Sequence, residues 1–223
     1  MHQETARGRR ARCLARLAAL AAIGTLACHT LPPVVQSQGV APREAALRKL
    51  AVFPLRPSEA VLAQAASAGT TASFAARIVG NALSQQILGQ GVAVVTPGTI
   101  TGAGLGGSEP EAPPVDPVTA AQEATRRFGA SGVLLGTLQR WRDRTGKPAA
   151  AATPASVAFS VTLYAAPSGK RLWTGRFDQT QHAANERPLE AARLPGKGSR
   201  WLSAEELAGF GAEEVAKALV AGK

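Results

Sequence analysis

The chain has little of what catalysis and covalent stapling require. Its 223 residues include 2 cysteines, 3 histidines, 1 tyrosine and 1 methionine. Both cysteines, Cys13 and Cys28, lie near the N-terminus, as do His2 and His29, and only His182 falls in the body of the chain. A zinc site takes three or four His, Cys or carboxylate ligands within reach of one another, and one usable histidine does not supply them. A serine hydrolase needs a base beside its nucleophile, and no Gly-x-Ser-x-Gly elbow occurs. Two cysteines at one end cannot staple the remainder, so the fold must rest on its apolar core. No catalytic residue, cofactor or metal is expected.

What is present begins with an export signal. Arg7, Arg9, Arg10, Arg12 and Arg16 stand against one acid, Glu4, and the uncharged run Leu17–Leu26 leads into Ala27-Cys28. A basic region, an apolar region and a small residue before the cut form the secretory pattern, and this run falls short of the about 20 apolar residues that span a bilayer. Leu26-Ala27-Cys28 resembles the lipobox of bacterial lipoproteins, whose cysteine is diacylated and becomes the first mature residue. Thr25 stands where that family usually has leucine, with Leu26 one place later. The resemblance implies a signal peptide over residues 1–27 and lipid attachment at Cys28. The alternative is a plain secretory signal beside an unrelated cysteine. His29, in place of Asp, resembles proteins sorted onward to the outer membrane, which implies a lipid-anchored position on its periplasmic face. Removing the leader takes away five arginines and one glutamate, so the formal charge falls from +10 to +6.

Residues 28–47 carry Pro32, Pro33 and Pro42 among Gln and Ser, with no sustained period, and read as a tether. It would reach about 60 Å fully stretched and about 25 Å as a relaxed coil. Residues 48–223 read as one periplasmic α/β domain, with a mixed sheet of about five strands and about three helices.

Leu50–Leu55 is a buried strand stopped by Pro54 and Pro57, and an Ala/Ser/Gly/Thr-rich loop follows. Apolar spacings of three and four predict a helix over Ser73–Leu88, and Val92–Thr96 a second strand. A strand, a helix and a strand imply a parallel pair joined by a right-handed crossover. Residues 98–117 read as a Gly/Pro loop. Asp116-Pro117 then opens a helix with Val118, Ala121, Thr125 and Phe128 inward, and Gly129 ends it. Gly132–Gln139 is a buried strand, and Arg144–Pro154 a second loop. Val157, Phe159, Val161 and Leu163 alternate with smaller or polar residues, and Leu172–Phe177 returns after the Ala166–Gly169 turn, which makes an antiparallel hairpin. Ser203-Ala-Glu-Glu206 is a capping box opening the last helix, with Leu207, Gly211, Val215, Ala218 and Leu219 inward.

Candidate sites are few. Gly102-x-Gly104-x-x-Gly107 matches a dinucleotide fingerprint in form but lacks the strand before it and the helix after it, so it reads as loop composition. Arg140, Trp141 and Arg142 form the densest basic cluster around an aromatic. Trp141 is the candidate exposed anchor for a partner; the alternative is a buried tryptophan. Export removes most nucleic-acid partners, and none is expected. Trp173 reads as core, and Trp201 as packing between the last helix and the sheet. His182 with Asp178 would be the base of a hydrolase if there were one, and an exposed loop histidine otherwise. Asp178, Glu186 and Glu190 could pair in the glycosidase manner, though nothing fixes their separation.

Leu50-Ala-Val-Phe-Pro-Leu55, Val92-Ala-Val-Val-Thr96, Arg127-Phe-Gly-Ala-Ser-Gly-Val-Leu-Leu-Gly-Thr-Leu138 and Val161-Thr-Leu-Tyr-Ala-Ala-Pro-Ser-Gly-Lys-Arg-Leu-Trp173 resemble, in that order, the periplasmic lipoprotein domains related to the curli-secretion lipoprotein and to the penicillin-binding-protein activator LpoB. The resemblance spans about residues 48 to 177. It implies an α/β fold and a non-catalytic binding or accessory role in an envelope assembly, in cell-wall synthesis or export, with an envelope protein as partner. The competing class is a component of an oligomeric outer-membrane secretion channel, so an oligomer stays open. A pore strand needs about 9 to 11 alternating residues, and Arg140–Pro154 lacks that alternation.

Overall fold

Alternation along two neighbouring strands decides which way the sheet faces. The computed structural model describes residues 33–39, 47–68, 71–105 and 115–221, and these form one compact unit. Cys28 lies outside the described residues. In chain order the elements are β1 (Val35–Gly39), β2 (Lys49–Val52), β3 (Arg56–Pro57), α1 (Glu59–Ala68), α2 (Ala72–Gly89), β4 (Ala93–Val95), α3 (Pro97–Gly102) and α4 (Pro117–Phe128). There follow β5 (Gly132–Arg142), β6 (Thr145–Lys147), β7 (Ala150–Thr153), β8 (Ser156–Ala165), β9 (Arg171–Thr180), α5 (Pro188–Ala191) and α6 (Ala204–Val220).

The main sheet is mixed, in the order β1-β9-β8-β5-β2-β4, with β3 also paired to β5. β2 runs parallel to both β4 and β5, while β5, β8, β9 and β1 are successively antiparallel. The parallel pair and the hairpin are as the sequence predicts.

Val157, Phe159, Val161 and Leu163 point to one face, opposite the inward residues Trp173 and Phe177 of β9. On that face α2 and α6 pack against each other and on the sheet. Val79, Leu83 and Ile87 of α2 meet Leu207, Val215 and Leu219 of α6 in the larger core. Such a layer is held by apolar area removed from water, at about 25 cal/mol per Å². Ser203 accepts from the N–H of Glu206 and Glu206 accepts from the N–H of Ser203, so the capping box of α6 forms as read. The opposite face is covered only in part. Ala51, Phe53 and Val133 meet Ile100 of α3 and Ala120, Ala121 and Ala124 of α4 there. Beyond α4 this second face carries hydroxyls and charges, from Ser160 and Thr162 to Arg176 and Asp178.

Several expectations are corrected. The main sheet has seven strands, where about five were expected, and the described residues hold six α-helices, where about three were expected. Val35–Gly39, within the stretch read as tether, is an edge strand paired with β9. Four of its five residues are exposed, so backbone pairing makes it and no apolar pattern announces it. The loop expected after Leu55 is helix α1, whose first turn is held by Ser58: its Oγ accepts from Val61 N–H and its carbonyl from Leu62 N–H. The loop expected after Thr96 starts with α3, where the Thr96 hydroxyl accepts from Thr99 N–H. The loop expected over Arg144–Pro154 contains the β6–β7 hairpin. Asp116 caps α4 and Gly129 ends it in the left-handed conformation, as predicted, but the buried face is Ala120, Ala121 and Ala124, and Val118 is exposed.

Candidate functional site

The basic cluster of the sequence is divided by one extra residue. Along β5, Leu138 sits opposite Phe159, but Arg140 sits opposite Ala158, so Gln139 is a bulge. A bulge of one residue reverses the side-chain alternation beyond it. Trp141, opposite Val157, therefore turns toward the larger core and packs half-buried against it. Arg140 turns to the second face. There its Nε donates to Ser156 Oγ at 2.6 Å, and its Nη2 pairs with Asp178 Oδ1. Arg176 holds the other carboxylate oxygen of Asp178 at 2.7 Å. Burial alone would raise the Asp178 carboxyl, but the bonds from Arg176 and Arg140 outweigh it and hold the group below its ordinary value. Arg140, Trp141 and Arg142 do not form one patch; the bulge assigns Arg140 to a structural ion-pair network.

Trp141 and Arg142 instead share a cleft of about 300 Å³ with residues of α1, α2 and the β6–β7 hairpin. Val61, Ala65, Ala72 and Ala75 supply its apolar wall. Arg142 is exposed, and Arg144 sits at the opposite polar side with Nη1 donating to Gly146 O at 2.6 Å. The Nε of Arg144 is buried without a partner among the described residues. Asp143 also lines the cleft, and its Oδ1 accepts from the backbone N–H groups of Arg144 and Ala204, both at 2.8 Å. That second bond ties the end of β5 to the first turn of α6, so the cleft rests on the core helix. Sequence reasoning found Trp141 and Arg142 but missed α1, and with it the opposite wall. The signal available was Ser58 ahead of an Ala-rich stretch of high helix propensity.

His182 lies elsewhere, in a cavity of about 150 Å³ beside Ala149, Ser199 and Trp201. Asp178 is engaged by two arginines and makes no bond to it. Next to His182, the buried Gln181 donates to Arg200 O at 2.9 Å and accepts from Leu202 N–H at 2.7 Å, which fastens the approach to α6. Trp201 is half-buried and its backbone N–H donates to Pro148 O at 2.8 Å, so it packs toward the β6–β7 turn. Trp173 is core, as read. Of the glycine fingerprint, Gly102 ends α3, Gly104 follows in a turn with positive φ, and Gly107 lies outside the described residues. Among the described residues no group of three His, Cys, Asp or Glu side chains could hold a metal ion.

No protein-family model matches the chain, and neither does any curated protein sequence. Among solved structures it is similar to the PelC dodecamer from Paraburkholderia phytofirmans, with 18% identity over 83% of this chain and 95% of that chain, at a TM-score of 0.45. It is also similar to the lipoprotein GNA1162 from Neisseria meningitidis, with 17% identity over 62% of this chain and 84% of that chain, at a TM-score of 0.37.

Proposed function

We propose that this chain is an envelope lipoprotein, anchored through Cys28 at the periplasmic face of the outer membrane, and that it acts as a non-catalytic accessory subunit by docking a protein partner at the Trp141 cleft. The observation that carries the binding role is the arrangement of the cleft itself. An indole forms one side of an apolar hollow whose polar rim bears two arginines and one carboxylate, Asp143, a net positive edge in which Arg144 has a buried donor that nothing in the described chain satisfies. A segment that presents an apolar side chain beside an acid complements both features. Such anchors concentrate binding energy because the ring is rigid and buries a large area.

The anchoring half rests on the basic leader, its apolar run and the placed cysteine. The strand β1 adds a constraint to it. Pairing with β9 begins at Val35, so the free length between Cys28 and the sheet is about 25 Å at full stretch, less than half of what a tether to residue 47 would allow. The domain then stays close to its own bilayer, and the partner must present its segment there.

The test is photocrosslinking in cells from position 142, with position 176 on the opposite sheet face as the control. One envelope protein should attach from 142 and not from 176, and that product should fall about tenfold or more for Trp141→Leu and for Arg144→Glu. Equal labelling from both positions, or products unaffected by the two substitutions in a folded protein, would refute the docking role.

A further inference from the structure

The second sheet face holds a cavity that the docking role does not use. Where β2 ends, Pro54 and Pro57 bracket Arg56, and β3 places that residue opposite Thr137 of β5. The alternation of the two faces is interrupted between β2 and β3, at Pro54. Val52 and Leu55 belong to the larger core, while Phe53 belongs to the cluster under α4. Arg56 extends on the side of Phe53 and Thr137, into a cavity of about 230 Å³. The start of α4, at Val115 and Pro117, forms the facing wall.

The polar lining is unusual in its balance. Four hydroxyl groups reach the cavity, from Thr137, Ser160, Thr162 and Tyr164, and among the described residues no carboxylate lines it. Ser160 already accepts from Gln139 Nε2 at 3.2 Å, and Thr162 lies 3.3 Å from the Thr174 hydroxyl. The side-chain hydroxyls of Thr137 and Tyr164 have no hydrogen-bond partner among the described residues. Arg56 Nη1 is buried and has no hydrogen-bond partner among the described residues. A guanidinium cannot discharge itself by losing a proton, and a buried donor left unpaired is costly, so its charge calls for an acceptor from outside the chain. Arg140, the comparable arginine on this face, shows the alternative: there the chain supplies Asp178.

We propose that this cavity binds a single acidic sugar unit, a uronate or a sugar phosphate, with the anionic group on Arg56. The remaining hydroxyls of the ligand would meet Thr137 and Tyr164, and its carbon face the apolar side formed by Phe53, Pro54 and Leu135. The oxyanion is what both ligands share, and the hydroxyl-rich lining is what selects a sugar over a bare anion. The site is independent of the Trp141 cleft and of the lipid anchor.

Isothermal titration calorimetry on the full chain, purified in detergent, tests it with glucuronate, glucose 1-phosphate, glucose, acetate and inorganic phosphate. The expected result is that one or both acidic sugars bind at least about tenfold more tightly than glucose, acetate or phosphate, and that Arg56→Met weakens them about tenfold or more. Which acidic sugar is preferred identifies the source of the anion. Tyr164→Phe, which removes one hydroxyl from a half-buried ring, is the second variant, expected to weaken binding several-fold with an unchanged melting temperature. No heat with either acidic sugar, glucose binding as well as glucuronate, bare phosphate binding as well as the sugars, or a folded Arg56→Met that binds undiminished would each overturn the proposal.

Discussion

Alanine placed at two glycines of α6 should move stability in opposite directions. In an exposed helix interior, glycine to alanine gains about 0.8–1.0 kcal/mol from backbone entropy and propensity. Gly209 is such a position: a Cβ there would meet nothing within 4 Å. Gly211, two residues on and so on the opposite side of the helix, lies against the sheet, and its Cβ would fall 2.6, 2.7 and 2.8 Å from three ring atoms of Phe177. That ring has little room to retreat, because it is fully buried with Phe159 at 5.4 Å and Phe210 at 6.2 Å between ring centroids. Forcing a methyl into a closed core costs about 1–3 kcal/mol, which exceeds the propensity gain. Gly211→Ala should therefore destabilise by up to about 2 kcal/mol and lower Tm by several degrees, while Gly209→Ala should raise Tm by about 2–4 °C. Thermal unfolding of the two variants beside the parent, followed by circular dichroism, measures both. A Gly211→Ala protein as stable as Gly209→Ala would refute the claim that this glycine sets the distance between α6 and the sheet.

Three further outcomes follow from particular contacts. Glu206 takes two bonds from Arg200, at 2.8 and 2.6 Å, and one from Ser203 N–H, and these hold its carboxyl down to about 2 against the opposing effect of burial. Its folded value lies below the unfolded one, so the stabilisation is present above about pH 4.3 and is lost as pH falls toward 2; Glu206→Gln should flatten that part of the urea-midpoint profile, by about 1 kcal/mol or less because the side chain is 39% exposed. Gly39→Val should release β1 from β9, since Gly39 has φ of 115° and a Cβ there would stand 2.5 Å from Leu172 O; faster amide exchange along β1 and the facing edge of β9, with α6 unchanged, is the expected reading. Deleting Gln139 should remove the bulge and leave Arg140 opposite Ala158 and Trp141 opposite Val157, so crosslinking from position 142 should persist; its loss in a folded protein would contradict the faces assigned to these residues.

What the sequence made legible divides by how each element is stabilised. The β8–β9 hairpin, α2 and α6 bury one regular stripe each, and period and caps were enough to place them. The elements that sequence reading missed bury little or pair mainly through backbone. β1 exposes four of its five residues, β6 and β7 are short and mostly exposed, and α3 is held by a proline start and one threonine cap. The same division governs the candidate site. Arg140, Trp141 and Arg142 were found as residue types, but a bulge at Gln139 decides which face each takes, and a one-residue irregularity leaves no mark on composition or period. Arg56 carried no signal at all in the sequence, because its isolation depends on which strands and helices close around it. Val118, expected inside α4, is exposed because small alanines let the helix seat closely on a different face.

The account turns on fatty acylation of one thiol, and intact-mass spectrometry of the protein isolated from membranes reads it directly. A chain beginning at residue 28 with a diacylglyceryl-modified cysteine, converted by Cys28→Ser into a form that no longer fractionates with membranes, is the predicted result. An unmodified mature terminus, or a retained leader on a protein that stays membrane-bound without Cys28, would contradict it.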